Sequence, residues 1–135
     1  MTNLSGAHVV ITGAASGLGR RLARMLGERG AVLSLWDRDV EALLKVSAEL
    51  ENSTAVVCDV SDRTAVYSAA ARIGKPVDIL INNAGVVNGR SFLDIPDEQI
   101  QKSFEVNTHA LFWMLKAFLP EMIERNRGHI VTVAS

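Results

Sequence analysis

Thr12-Gly13-Ala14-Ala15-Ser16-Gly17-Leu18-Gly19 follows directly on the apolar run His8–Ile11 and opens a helix-period pattern. The run before it reads as a buried strand. Leu18, Leu22, Met25 and Leu26 after it have the spacing of one helix face. Three glycines at a strand-to-helix turn let the backbone approach a charged ligand and let the helix pack tightly on a sheet. The N–H groups of the first helical turn, with the positive end of the helix dipole, suit a pyrophosphate. The alternative is an ordinary glycine-rich βα turn. Asp37 stands at the end of the next strand-like run, 18 residues after Gly19. A carboxylate there can accept hydrogen bonds from both ribose hydroxyls of a dinucleotide and would repel an added phosphate. It could equally be a helix cap or a solvated loop carboxylate.

Further polar groups recur at the ends of apolar runs. Asp59-Val60 follows the third run and Asn82-Asn83-Ala84-Gly85 the fourth, and ligands sit at strand ends in open α/β sheets. Asp59 also fits a capping role before Ser61-Asp62, and Asn-Asn-Ala-Gly also fits a turn. Asn107 interrupts an otherwise apolar helical stripe. A buried amide must find partners or cost about 1–3 kcal/mol, so it is either a structural asparagine or part of a site.

The G-x-x-x-G-x-G spacing, taken with Asn82-Asn83-Ala84-Gly85, resembles the short-chain dehydrogenase/reductase family over essentially the whole chain, nearest in wording to its retinol and steroid dehydrogenase branches. The resemblance implies a hydride-transferring oxidoreductase acting between a nicotinamide cofactor and an alcohol or carbonyl. It places Gly13, Ser16, Gly17, Leu18 and Gly19 at the pyrophosphate, Asp37 at the ribose, and Asp59 and Val60 at the adenine. Asn83, Ala84 and Gly85 fall at the inner cofactor. Asp37 implies NAD; Arg38 beside it is of the kind that accompanies NADP and keeps NADP open. Asn107 matches a helix asparagine supporting a proton relay through water. Ser135 matches a serine that polarises the substrate oxygen. The family's Tyr-x-x-x-Lys pair does not occur in these 135 residues. The single tyrosine, Tyr67, is followed at the fourth position by Ala71 and takes no such role. The chain is therefore expected to be an N-terminal portion of a longer dehydrogenase, inactive alone. The rival reading is a catalytically incomplete nucleotide-binding fragment. In the longer form the resemblance implies a homodimer or homotetramer, and an apolar alcohol or ketone as substrate.

Five runs, His8–Thr12, Ala31–Trp36, Thr54–Cys58, Val77–Asn82 and His129–Ala134, are rich in Val and Ile with little alternation, as in strands covered on both faces. Helix-period segments separate them: one with Val40, Leu43, Leu44 and Ser47 on a face, a short one over Ala65–Ile73, and a long one over Asp97–Arg125. The long helix is expected to carry Ile100, Phe104, Asn107, Leu111, Met114, Leu115, Phe118 and Met122 on one stripe, and to kink or shorten near Pro120. The alternation predicts right-handed βαβ units and one α/β domain over 1–135. Its sheet is Rossmann-like, doubly wound and parallel, cut after the fifth strand, with that strand an unblunted edge.

Composition excludes other classes. Hydrophobic residues make up 48% and charged residues 21%, and the net charge is −1 without a basic cluster, so no nucleic-acid partner is expected. No stretch approaches the roughly 20 apolar residues of a membrane span. The short polar start is unlike a signal peptide, which suggests a cytoplasmic protein. Cys58 is read as a small buried hydrophobe. His8, His109 and His129 have no ligand spacing, so no metal is expected.

Overall fold

The computed structural model describes residues 3–134. Five strands, β1 (His8–Thr12), β2 (Val32–Asp37), β3 (Ser53–Val57), β4 (Ile79–Asn82) and β5 (His129–Thr132), form one all-parallel sheet in the order β3-β2-β1-β4-β5. Five helices connect them: α1 (Gly17–Glu28), α2 (Val40–Ala48), α3 (Arg63–Ala71), α4 (Asp97–Phe104) and α5 (Ala110–Glu124). The expected alternation is present, with β1 at its expected limits and the other strand limits displaced by at most two residues. The chain winds outward from β1 through β2 to β3, then crosses back through α3 to start β4 on the other side of β1. The crevice between β1 and β4 is thus the point where winding reverses, and such reversals hold ligands at the carboxyl ends of strands.

Two cores sandwich the sheet. Val9, Ile11, Leu33, Leu35, Ile79 and Ile81 pack with Ala23 and Leu43 on one face. Val10, Trp36 and Leu80 pack with Val66, Ala69, Met114 and Phe118 on the other. Trp36 is fully buried and meets Phe118 edge-on at 5.8 Å between centroids, so it is a packing residue.

Three helix faces differ from the sequence expectation. On α1 the buried residues are Gly19 and Ala23, while Leu18 and Met25 are about half exposed. The helix lies so near the sheet that only small side chains fit beneath it, and Leu22 and Leu26 flank the contact. On α2 the buried residues are Leu43 and Val46, with Val40 and Leu44 exposed. In the long helix Val106, Ala110, Met114, Phe118 and Met122 are buried at steps of four, whereas Phe104 and Asn107 are exposed. The cause is a π turn over Glu105–His109, closed by Ala110 N–H donating to the Glu105 carbonyl. One extra residue per turn rotates the stripe, so the face read through Phe104 and Asn107 does not continue into α5. Pro120 does not shorten the helix, which runs on to Glu124. Pro120 is exposed and simply supplies no N–H to the helix ladder.

Among the described residues β5 pairs with β4 alone and is largely exposed, the open edge that the sequence predicts.

Candidate functional site

Loop 13–16 leaves β1 and is tied to the neighbouring strand before the helix begins. Ala14 N–H donates to the Trp36 carbonyl at 3.1 Å, and Ala15 N–H to Asp37 Oδ2 at 3.0 Å. Gly13 (φ +65°) and Gly17 (φ +53°) hold left-handed backbone that favours glycine. Gly19 is required for another reason: a Cβ there would stand 2.1 Å from the Gly13 carbonyl oxygen and 2.6 Å from Asn83 Nδ2. A Cβ on Gly17 would meet nothing within 4 Å. The first bond of α1 is Arg20 N–H to Ser16 C=O, so the N–H groups of Gly17, Leu18 and Gly19 lie outside the helix ladder. No acidic residue stands in the first turn and the Ser16 side chain makes no capping bond. The positive end of α1 therefore opens on the crevice with its donors uncommitted, the arrangement an anion needs.

Asn83 clamps this loop. Its Nδ2 donates to the Thr12 carbonyl (3.1 Å) and the Gly13 carbonyl (3.2 Å). The Thr12 hydroxyl, itself buried, accepts the N–H groups of both Asn83 and Ala84 at 3.0 Å. The ends of β1 and β4 are thus stitched together at the reversal point. Asn82, 2% exposed, presents a side-chain amide with no hydrogen-bond partner among the described residues. A buried, unpaired amide is costly, and the end of β4 is where this fold bears that cost.

Asp37 ends β2 with both carboxylate oxygens fixed: Oδ2 by Ala15 N–H and Oδ1 by Asp39 N–H at 3.0 Å. A carboxylate has about four acceptor positions, so two remain for a ligand. Arg38 beside it is exposed. Asp59, after β3, is held by Ser61 through its N–H (3.0 Å) and hydroxyl (2.6 Å) on Oδ1, and by the Lys102 ammonium on Oδ2 at 3.2 Å. Burial pushes its carboxyl up, but the Ser61 bonds and the Lys102 charge outweigh that and leave it below the ordinary carboxylate value. Cys58 lies beneath, buried. Burial first, then the Asp59 and Asp62 carboxylates, push its thiol up to about 11, so it is not a nucleophile.

Asn107 lies in the π turn. Its Oδ1 accepts the Val86 N–H and its Nδ2 donates to the Val86 carbonyl, both at 2.8 Å. The side chain pairs with a backbone unit as a neighbouring strand would, and fixes the segment that follows Gly85. A Cβ on Gly85 would come to 3.3 Å from Asn107 Oδ1. Asn107 is thus a structural asparagine in its hydrogen bonds and stands beside the crevice in its position. Ser135 lies outside the described residues.

One crevice of about 430 Å³ runs over these strand ends. Gly13, Ser16, Gly17 and Leu18 line its centre, Asp37 and Arg38 with Asp59 and Val60 one arm, and Asn83, Ala84 and Gly85 the other. Of the residues expected at a cofactor, only Gly19 stands behind the wall, supporting it. Sequence reasoning missed Thr12 and Lys102. Thr12 carried a signal, a hydroxyl closing an otherwise apolar strand. Lys102 carried none, since only the fold brings it to Asp59. Among the described residues no cluster could hold a metal ion, and no helix is long and apolar enough to cross a membrane.

An open parallel sheet with a glycine-rich loop, a carboxylate closing the second strand and an anion-ready helix end defines the dinucleotide-binding class of α/β domain. The short chain dehydrogenase family model matches residues 7–135, and the chain belongs to that family. It is 50% identical over 141 residues to mouse epidermal retinol dehydrogenase 2, covering 98% of this chain and 46% of that protein. It is 44% identical over 160 residues to zebrafish retinol dehydrogenase 10-B, covering 98% and 48%. The chain thus spans about half the length of these curated relatives. A Burkholderia phymatum short chain dehydrogenase/reductase solved with NAD superposes with a TM-score of 0.94 at 32% identity, covering 100% of this chain and 51% of that one. A metagenomic short-chain oxidoreductase solved with NADP gives 0.91 at 35% identity, covering 99% and 64%.

Proposed function

We propose that the crevice binds a nicotinamide dinucleotide and that the protein is an oxidoreductase passing hydride between this cofactor and an alcohol or ketone. The observation that carries the reading is the uncommitted helix end at Gly17–Gly19, set between Asp37 on one side and Asn83 on the other. The residues fit the group. The α1 N–H groups would hold the pyrophosphate, the two remaining acceptor positions of Asp37 the ribose hydroxyls, and Asp59 and Val60 the adenine. Ala84 and Gly85 leave room for the inner half. The bound cofactor supplies the hydride chemistry; this chain supplies orientation and the exclusion of water. Asn107 acts by holding the segment at Val86 beside the reacting end, and Ser135 by holding the substrate oxygen.

NAD is preferred over NADP. The Asp37 carboxylate is fixed by two backbone donors and cannot swing away from an added ribose phosphate, and exposed Arg38 offsets only part of that repulsion. The substrate is an apolar alcohol of the kind named in the relatives above, and the protein works as a homo-oligomer in the cytoplasm. A binding-only role is the second reading, in which the crevice holds the dinucleotide and Tyr67, on α3 and away from the crevice, takes no part. Calorimetric titration of the purified protein with NAD and NADP tests the assignment. NAD binding at least about tenfold tighter is expected. Equal affinities would overturn the preference, and no binding of either would overturn the function. Turnover of retinol with NAD separates the enzyme from the binding-only reading.

A further inference from the structure

Lys102 lies on α4, far in sequence from the crevice, yet its ammonium reaches Asp59 Oδ2 at 3.2 Å and also donates to the Ser61 hydroxyl. That hydroxyl passes its own proton to Asp59 Oδ1 at 2.6 Å, and the Ser61 N–H donates to the same oxygen at 3.0 Å. The set is closed and its directions are unambiguous: lysine donates to serine, serine donates to aspartate, lysine donates to aspartate. Of the four or so acceptor positions of a carboxylate, Ser61 fills two and Lys102 one. One remains, on a carboxylate that cannot rotate.

We propose that Lys102 is a positioning residue that fixes Asp59 so that its one remaining acceptor position selects a base carrying an exocyclic amine. The proposal rests on the dinucleotide reading above. The sheet order sets the geometry. A dinucleotide with its pyrophosphate at the end of β1 extends one nucleoside toward β2 and β3, where Asp37 and then Asp59 stand. An adenine there offers an N–H donor from its 6-amino group to Asp59. A 6-oxo base offers an acceptor at the same place, and oxygen faces oxygen. The 6-oxo base does carry a donor at the adjacent ring nitrogen, N1. A mobile carboxylate would shift by one atom and recover the bond; one pinned on both oxygens cannot. Selectivity therefore comes from the pinning as much as from the charge. Lys102 and Asp59 are both partly exposed, which suits a trim on selectivity rather than a support of the fold.

The test is a ratio of affinities. The purified protein is titrated calorimetrically with NAD and with nicotinamide hypoxanthine dinucleotide, which replaces the 6-amino group by oxygen. The parent is expected to prefer NAD at least about tenfold, the worth of one hydrogen bond to a charged group. Lys102→Met is expected to bring the ratio to within about threefold, chiefly by gaining affinity for the 6-oxo cofactor. Lys102→Arg, which retains the charge and donors, restores the preference. Ser61→Ala, which removes one of the other bonds, shifts the ratio the same way and stands in should Lys102→Met fail to fold. A parent that binds NAD while Lys102→Met keeps the tenfold ratio overturns this inference and leaves the function intact. Equal weakening toward both cofactors overturns it too, as the mark of a purely structural lysine. A parent that binds neither cofactor overturns both.

Discussion

Replacing Gly19 by alanine adds one methyl group at the tightest point of the molecule. The new Cβ would lie 2.1 Å from the Gly13 carbonyl oxygen, 2.8 Å from the Gly13 carbonyl carbon and 2.6 Å from Asn83 Nδ2. Two of these are backbone atoms at the root of the loop, so no rotamer change relieves the overlap. Overpacking of this kind costs about 1–3 kcal/mol. Displacing Asn83 also strains its bonds to the Thr12 and Gly13 carbonyls, about 1 kcal/mol each. Against this stands the better helix propensity of alanine, about 1 kcal/mol. The net expectation is a loss of about 2–4 kcal/mol, combining those terms. Gly17 is the internal control. Its left-handed backbone makes alanine cost about 1–2 kcal/mol, but a Cβ there meets nothing. Urea denaturation of both variants should therefore rank Gly19→Ala well below Gly17→Ala. Cofactor titration should rank them differently: Gly17→Ala remains folded and places its methyl beside the helix end proposed to hold the pyrophosphate, so it is expected to lose affinity out of proportion to its stability. A Gly19→Ala protein within about 0.5 kcal/mol of the parent, the range of ordinary surface changes, would refute the close-approach argument.

Thr12→Val leaves the Asn83 and Ala84 N–H groups without their shared acceptor, so a loss of about 2–6 kcal/mol is expected at 1–3 kcal/mol per orphaned donor; Thr12→Ser should recover most of it, and equal stability of the two variants in urea would sink the stitch between β1 and β4. Stability should also fall with acid in two stages. Burial, helped by the Lys75 charge and only partly opposed by the Pro76 carbonyl and the Asp78 and Glu121 carboxylates, lowers His8 from its ordinary 6.5. It folds neutral, so its contribution is full above that value and is lost as pH falls through the lower, folded one. Asp78 is pushed up by burial but pulled below 3.8 overall by the His8 N–H and by Arg125 and Arg127, so its share is present above 3.8 and lost on further acidification. Urea midpoints unchanged between pH 7 and pH 5 would contradict the His8 assignment, which His8→Gln should remove without touching the later stage. Cys58, buried and raised to about 11, should react with a disulfide reagent at pH 8 only as fast as the protein opens, and rapid native-state labelling would show the thiol to be accessible.

The fold was legible because strand burial and helix period are local signals. β1 to β5 fall within a residue or two of the apolar runs, since a strand covered on both faces must be apolar throughout. The helix faces were less legible. The α1 stripe misled because large residues flank a contact that only Gly19 and Ala23 can enter, and a scale of hydrophobicity ranks glycine low. The long stripe misled at Phe104 because a π turn is not encoded by any residue type. In the site, residues that act by being small or by closing a strand were readable from order along the chain: Gly13, Gly17, Asp37, Asn83. Asn107 was readable as an anomaly, though not that its amide would pair with Val86. Lys102 was unreadable, because on α4 it is one exposed charge among several until the fold carries it to Asp59.

The polar groups of the crevice satisfy the chain before they can serve a ligand. Asp37 holds Ala15 and Asp39, Asn83 holds Thr12 and Gly13, Asp59 holds Ser61 and Lys102, and Asn107 holds Val86. Each therefore offers a ligand only the valences left over, in directions the fold has already fixed. Pre-set donors and acceptors are not reordered on binding, which lowers the entropy lost there. The same economy couples affinity to stability. Removing any of these side chains frees a backbone group as well as a ligand contact, so loss of binding in a simple deletion says little about contact with the cofactor. Ligand analogues that alter one valence at a time, such as an added ribose phosphate to probe the proposed role of Asp37 or a 6-oxo base to probe that of Asp59, leave the chain untouched. They separate what a residue does for the fold from what it does for the ligand.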